Sequence, residues 1–398
     1  MPAGERVQTE ALLERARALA PLILEYRDQA EAERRLPKPL AAAMRDAHLF
    51  SLWLPPGLGG PGVDIETSVL VTEELSRQDG SVGWNSMIAG NTSILWAYVE
   101  PAAAAACIRG DAGTVLAGTV GGGGDASAPG GGVAAPAPGG YRLTGRWAFA
   151  SGCHQADWLV ANGRIIEDGA PRRTPDGGVG LFSFILPISG CTILDTWYTT
   201  GMRGTGSHHF EATDVFVPEE LTFSSIDPRP YQPGHLYTTP RATPWAPNIA
   251  AVALGIARDA IDTFLEVART KPAARNRAGL MERETIHQRV GEAEGRLRAA
   301  RAFLLDTVRR VDACLAADEP VPEELAALSR CAASTATAAS AEVVDWMFTA
   351  AGTTSVFASN RLDRCFRDVH MVTQHAVGGL AGFTVAGRYF LGLGMPPR

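Results

Sequence analysis

Near its C-terminus the chain reads Arg367-Asp368-Val369-His370-Met371-Val372-Thr373-Gln374-His375-Ala376. Two histidines stand behind an Arg-Asp pair, at the end of a long run of helix-forming sequence. His375 comes five positions after His370, so on a helix the two point about 140° apart and face different ways. A lone histidine on a helix is more often a surface or satisfied core residue than a functional one, and His370 reads as structural or as a contact to a neighbouring subunit. Adjacent helical residues do not face each other, so Arg367 and Asp368 are each expected to pair with another helix or subunit.

The residues upstream repeat a helical pattern. Ile286, Val290, Ala293, Leu297, Ala300, Leu304, Val308, Val311 and Leu315 recur at spacings of three and four, the stripe of a bundle helix buried along one side. Stretches at 249–270, 322–350 and 359–376 supply its neighbours and predict a four-helix bundle, an arrangement that often doubles as a subunit interface. Toward the N-terminus, 8–50 is helical and broken at Leu36-Pro37-Lys38-Pro39, where Pro39 can open the next helix. A Pro/Gly loop at 54–62 precedes helices at 64–78, 81–98 and 101–110.

Between the helical halves the character changes. Strand-like runs at 141–147, 158–165, 181–186, 192–197 and 209–217 are separated by Gly, Pro and Asp, which predicts a compact β-domain, sandwich or barrel. Residues 121–140 are rich in Gly, Ala and Pro and read as a surface loop between strands; residues 227–247 read as a Pro-rich linker. The expected class is α+β in three units, 1–113, 114–226 and 227–398.

Composition excludes several partners. Hydrophobic residues make up 46% and charged residues 20% of the 398-residue chain, the balance of a soluble globular protein with a large core. The net charge of −7 is spread along the chain, and no basic block suggests nucleic acid. No apolar run is long enough to span a bilayer and residues 1–8 lack the pattern of a secretory leader, so no membrane contact and a cytoplasmic location are expected. Six cysteines without CxxC spacing read as buried thiols, with no metal site. No GxGxxG follows a strand, which argues against a nicotinamide site in this chain.

A second informative stretch runs from Tyr141 to Trp158 and contains Gly145-Arg146-Trp147-Ala148-Phe149-Ala150-Ser151-Gly152. A strand ends near Ala150 and Ser151-Gly152 turns the chain, placing a hydroxyl and backbone N–H groups where the strand opens. Taken alone, the pattern is more often core packing and a turn. A third stretch is Gly201-Met202-Arg203-Gly204-Thr205-Gly206-Ser207, leading through Asp214-Val215-Phe216-Val217-Pro218 out of the strand-rich region.

In this order the three stretches resemble the group D flavin-dependent monooxygenases, the oxygenase halves of two-component systems that share the acyl-CoA dehydrogenase fold. Residues 145–152 are similar to the family's Gly-x-Trp-x-Phe-x-Ser-Gly motif, 201–207 to a second motif, and Arg367-Asp368 through His375 to a third. The resemblance implies an N-terminal helical domain, a central β-domain, a C-terminal four-helix bundle and a homotetramer. It implies reduced flavin (FADH2 or FMNH2) delivered by a separate NAD(P)H:flavin reductase, with O2 as co-substrate. A flavin hydroperoxide would then hydroxylate a small aromatic molecule of phenol, indole or polyketide type.

The resemblance also assigns residues. Ser151 is expected to hydrogen-bond the flavin ring near the nitrogen beside its reactive carbon, with Trp147 packed alongside to exclude water. Phe149, Thr205 and Ser207 belong to the same two flavin motifs. Two roles are open to Arg203: contacting flavin phosphate or ribityl oxygens, or pairing with a carboxylate to orient its loop. His375 is expected across the cavity, where imidazole can stabilise a peroxide oxygen or deprotonate a phenol. Asn91, Trp96 and Trp245 are candidates for the substrate cavity, with core packing the stronger reading for Trp96 and for Trp84.

Departures from the dehydrogenases point the same way. In them an Arg-Asp pair is followed eight residues on by a catalytic glutamate; here that position is Ala376, preceded by His375. The alternative position for the base, ahead of the first bundle helix, holds Trp245. The proline usual before the β-domain loop is missing from Gly118-Thr119-Val120-Gly121. The rival readings are N-hydroxylation of an amine or amino sugar, an acyl-CoA dehydrogenase or oxidase with its base elsewhere, and a scaffold that has lost its flavin.

Overall fold

The computed structural model describes residues 3–108, 113–119, 131–271 and 279–396. The N-terminal helices are α1 (Ala3–Ala18), α2 (Ala20–Glu33), α3 (Lys38–Asp46), α4 (Ile65–Gln78), α5 (Gly80–Ser93) and α6 (Pro101–Ile108). Each of the two central ones begins on an aspartate. Asp64 accepts the Thr67 amide of α4 at 2.7 Å, and Asp79 accepts the Ser81 amide of α5 at 2.9 Å, pairing helix donors that would otherwise be orphaned. The stretch 81–98 does not stay α-helical: after Ser93 it tightens into a 3-10 turn, Ile94–Tyr98, which shifts the phase of the residues beyond it.

Nine strands form one sheet among the described residues. They are β1 (Leu116–Gly118), β2 (Gly132–Ala137), β3 (Gly140–Ala150), β4 (Trp158–Glu167), β5 (Ala170–Pro171), β6 (Phe182–Pro187), β7 (Thr192–Leu194), β8 (His208–Pro218) and β9 (Thr222–Ser224). The order is β7-β8-β3-β2-β4-β6-β9, with β1 alongside β4 in parallel.

The expected loop over 121–140 is corrected here. Residues 121–130 lie outside the described residues, but β2 pairs antiparallel with β3 and parallel with β4. Its small residues are a packing requirement. The Trp147 indole lies against this strand, and a Cβ on Gly132 would stand 2.5 Å from its ring.

The last third is helical: α7 (Ala242–Thr270), α8 (Glu284–Ala316), α9 (Glu323–Ala351), α10 (Arg361–Thr373) and α11 (Ala381–Arg388). α7 packs along α9, α8 flanks α9, and α10 closes across α7 and α9. α7 begins at Ala242 within the expected linker: Pro244 lies in its first turn, where a missing N–H costs little, and Pro247, inside the helix, leaves the Thr243 carbonyl to accept from Ser329 Oγ at 2.8 Å instead. Asp312 of α8 ties the bundle to the N-terminal helices by accepting the Ile65 and Glu66 amides at 3.0 and 2.9 Å. No helix among the described residues is long and apolar enough to cross a membrane.

Candidate active site

A cavity of about 450 Å³ opens where α5, the end of β3, the 201–207 loop, the start of α7 and the segment after α10 converge. Its sheet side begins at Phe149. A β-bulge interrupts the β3–β8 register between Trp147 and Ala150, and Phe149 takes a φ of 63° there. That left-handed conformation is costly for a bulky residue and turns the ring out of the sheet into the cavity. Phe149 meets Trp197 edge-on at 6.3 Å. Ser151 follows two residues later, buried at the strand end.

The hydroxyl of Ser151 is held by two protein partners. Trp84 Nε1 donates to its Oγ at 3.0 Å, Ser207 Oγ lies 2.7 Å away, and Thr205 Oγ1 lies 2.7 Å beyond Ser207. The loop carrying Thr205 and Ser207 is pinned from both ends. The Ser151-Gly152 turn donates the Gly152 amide to the Thr205 carbonyl at 3.0 Å, and Asp368 of α10 accepts the Met202 amide at 2.5 Å. Gly201 has no room for a side chain: a Cβ would stand 2.4 Å from the Arg367 carbonyl oxygen.

The Arg-Asp pair is therefore an anchor for this loop. Arg367 donates to Glu31 of α2 at 2.8 Å, to Asp363 at 2.9 Å and to the Thr200 carbonyl. Burial, followed by the neighbouring Asp79, pushes the Asp368 carboxyl up to about 7. Close by, Arg361 bridges Asp79 of α5 at 3.1 Å and Asp259 of α7 at 2.6 Å. His370 turns away from the cavity, bonding Asp345 at 3.0 Å and packing edge-on against Phe366.

His375 forms the opposite wall. α10 ends at Thr373, so His375 is not on the helix but in the turn after it. Its Nδ1 accepts the Val377 and Gly378 amides at 3.1 and 3.3 Å. With Nδ1 occupied by donors, the neutral ring carries its proton on Nε2. Burial, reinforced by the Arg330 cation, pushes the ring down to about 4, so His375 is neutral at physiological pH. The turn is held against α9, where Ser334 and Thr337 donate to the Gly379 and Gly378 carbonyls at 2.6 and 2.7 Å. Trp84 meets the His375 ring edge-on at 5.5 Å, so one indole touches both walls.

The structure brings Ser151, Phe149, Thr205, Ser207, Trp245 and His375 to this cavity. Four other candidates stand elsewhere. Trp147 lies inside the sheet, stacked on Phe210 at 4.9 Å with its Nε1 donating to the Asn162 carbonyl at 2.7 Å; the bulge gives the cavity position to Phe149 instead. Arg203 donates to the Glu31 and Thr199 carbonyls at 3.1 and 3.2 Å, the loop-orienting alternative. Asn91 is buried and accepts from Asn248 at 2.7 Å. Trp96 sits in the 3-10 turn and packs on Trp158.

Trp84, read from the sequence as core, is the residue missed. Trp84, Ile88 and Thr92 share one face of α5 and all three line the cavity, a periodicity that marks the face but not what it faces. Trp197 and Thr119 also line it. Among the described lining residues none is a carboxylate, and His375 is the one histidine.

Two family models match the chain: the acyl-CoA dehydrogenase N-terminal domain over residues 8–104 and the acyl-CoA dehydrogenase C-terminal domain over residues 248–378. The chain belongs to the flavin-dependent monooxygenases built on this frame, the oxygenase components of two-component systems. It is similar to the flavin-dependent monooxygenase oxygenase subunit HsaA of Mycobacterium tuberculosis, at 30% identity over 96% of this chain and 95% of that protein. It is similar, again at 30%, to the oxygenase component of the FADH2-dependent resorcinol hydroxylase of Rhizobium sp., over 94% of each. The structure of XiaF from Streptomyces sp. in complex with FADH2 and glycerol superimposes with a TM-score of 0.89, at 27% identity and covering 99% of this chain and 98% of that one.

Proposed function

We propose that the protein takes reduced flavin from a separate NAD(P)H:flavin reductase and, with O2, hydroxylates a small aromatic molecule of phenol, indole or polyketide type. The residues present fit a flavin ring. Phe149, Trp84 and Trp197 offer flat apolar flanks, and the Ser151–Ser207–Thr205 hydroxyls give a polar edge without charge. When bound, reduced flavin supplies the electrons that activate O2, one atom passing to the substrate and the other leaving as water.

The chain's own residues divide the remaining work. Ser151 orients the ring, with Phe149, Thr205 and Ser207 completing that wall. Trp84, Trp245, Ile249 and Met371 exclude water, which protects reactive oxygen from discharge as peroxide. His375, neutral and protonated at Nε2, donates a hydrogen bond to a negatively charged oxygen in the cavity. The observation that carries this reading is the neutral His375 facing the Ser151 hydroxyl set across a cavity with no described carboxylate. A dehydrogenase needs a base strong enough to take a carbon-bound proton, and a carboxylate there would oppose charge on oxygen.

The three units of this reading are 1–113, 114–226 and 227–398, meeting at the cavity. A homotetramer in the cytoplasm is part of it. Its support is the exposed apolar residues Phe383, Phe390, Leu391 and Leu393 at the end of the chain, which a partner subunit would cover.

The test supplies the purified protein with photoreduced FMN or FAD, then 18O2 and a panel of phenols, indoles, amines and acyl-CoA thioesters. The expected result is one 18O atom in an aromatic product. Label on an amine nitrogen would transfer the reading to N-hydroxylation, and bleaching of oxidised flavin by an acyl-CoA would make it a dehydrogenase. No oxygen transfer with either flavin refutes the proposal.

A further inference from the structure

The hydroxyls beside the cavity form a chain whose hydrogens can be assigned a direction. Thr205 Oγ1 lies 2.8 Å from the Met202 carbonyl oxygen, and two oxygens that close attract only with a hydrogen between them, so Thr205 donates. Its single hydrogen spent, Thr205 accepts from Ser207 at 2.7 Å, and Ser207 in turn accepts from Ser151 at 2.7 Å. Trp84 Nε1, which can only donate, occupies one lone pair of Ser151 Oγ at 3.0 Å. Ser151 is left with one free lone pair and no hydrogen to give. The reverse direction would press the Thr205 and Met202 oxygens together bare. The Trp197 Nε1 bond to the same carbonyl, at 3.0 Å, does nothing to relieve that contact.

We propose that Thr205 and Ser207 are positioning residues that fix Ser151 as a hydrogen-bond acceptor and so make this cavity prefer reduced over oxidised flavin. The inference rests on reading the cavity as a flavin site with Ser151 beside the ring nitrogen N5. Reduced flavin carries a hydrogen on N5 and oxidised flavin a lone pair. An acceptor pairs with the first and repels the second, while a hydroxyl free to turn serves either. The relay therefore acts at a distance, converting a buried carbonyl into a choice of oxidation state two hydroxyls away.

The experiment is a pair of anaerobic titrations of the apoprotein, with oxidised and with dithionite-reduced FMN or FAD, giving the ratio of the two dissociation constants. In Thr205→Val the chain loses its terminal donor, Ser207 can turn to donate to Ser151, and the Ser151 hydrogen is released toward the cavity. The preference for reduced flavin should fall roughly tenfold, the worth of one hydrogen bond, and Thr205→Ser should restore it. Thr205 is almost fully buried, so Ser207→Ala, which removes the acceptor for the Ser151 hydrogen, is measured alongside and should lower the ratio similarly. If the foldable variants keep the parental ratio, or weaken both oxidation states equally, the relay is overturned while the flavin site stands. If the parent binds neither form, the flavin reading fails and the inference fails with it.

Discussion

Replacing His375 with asparagine isolates its titration from its structural role, because the amide oxygen can take over the hydrogen bonds that Nδ1 accepts from Val377 and Gly378. The imidazole is pushed from 6.5 down to about 4 by burial and by Arg330. A depressed folded-state value means the unfolded chain binds the proton more tightly. The stability associated with the neutral ring is therefore complete above pH 6.5 and is lost as pH falls toward 4. Linkage across that interval gives about 2 kcal/mol lost by pH 5, reduced to about 1–2 kcal/mol because the ring's cavity edge is open and partly screened. The assay is urea unfolding of parent and His375→Asn at pH 7.5 and pH 5, each difference taken within one protein. The parent should lose about 1–2 kcal/mol more than the variant over that range. His154 and His208, also pushed down chiefly by burial, contribute to both proteins and cancel. Parallel losses would show that His375 titrates like a solvent-exposed histidine, and the neutral-donor role would go with it.

Three further outcomes follow from the geometry. Ser151→Ala removes the acceptor of the Trp84 indole and should weaken reduced-flavin affinity roughly tenfold in an anaerobic fluorescence titration; unchanged affinity would remove Ser151 from the site. Trp147→Phe breaks the bond to the Asn162 carbonyl inside the sheet and should cost about 1–3 kcal/mol of unfolding free energy with flavin affinity unchanged. A tenfold loss of affinity with normal stability would return Trp147 to the flavin. Gly201→Ala drives a methyl into the Arg367 carbonyl and should destabilise by about 1–3 kcal/mol, measured by the urea midpoint. A neutral result would mean that the loop is not clamped against α10.

Much of the architecture was legible because it rests on periodicity. The stripe from Ile286 to Leu315 lies on α8, Glu284–Ala316; the runs at 141–147, 158–165 and 209–217 fell within β3, β4 and β8, the run at 181–186 is offset by one residue from β6, and only the first half of 192–197 is strand, as β7. β2 was hidden because its residues are small enough for Trp147 to pack over them, and small residues carry no strand signal. The start of α7 was hidden by prolines that read as a linker until a helix N-terminus is seen around them. At the site, Ser151, Phe149 and His375 were marked by motif, whereas the place of Trp84 in the cavity and of Trp147 inside the sheet needed three dimensions. The side of α5 that faces the cavity, and the bulge that swaps Phe149 for Trp147, depend on segments far apart in the chain.

The two walls of the cavity have separate foundations. Ser151, Ser207 and Thr205 hang from the sheet and from a loop clamped by Asp368, while Gln374 to Val377 extend past the end of α10 and lean on α9. Evolution or an engineer can therefore vary the second wall, with Trp245 and Ile249 beside it, as an exchangeable face. Substrate choice could then diverge quickly among descendants of such a chain while the apparatus that handles flavin is inherited intact.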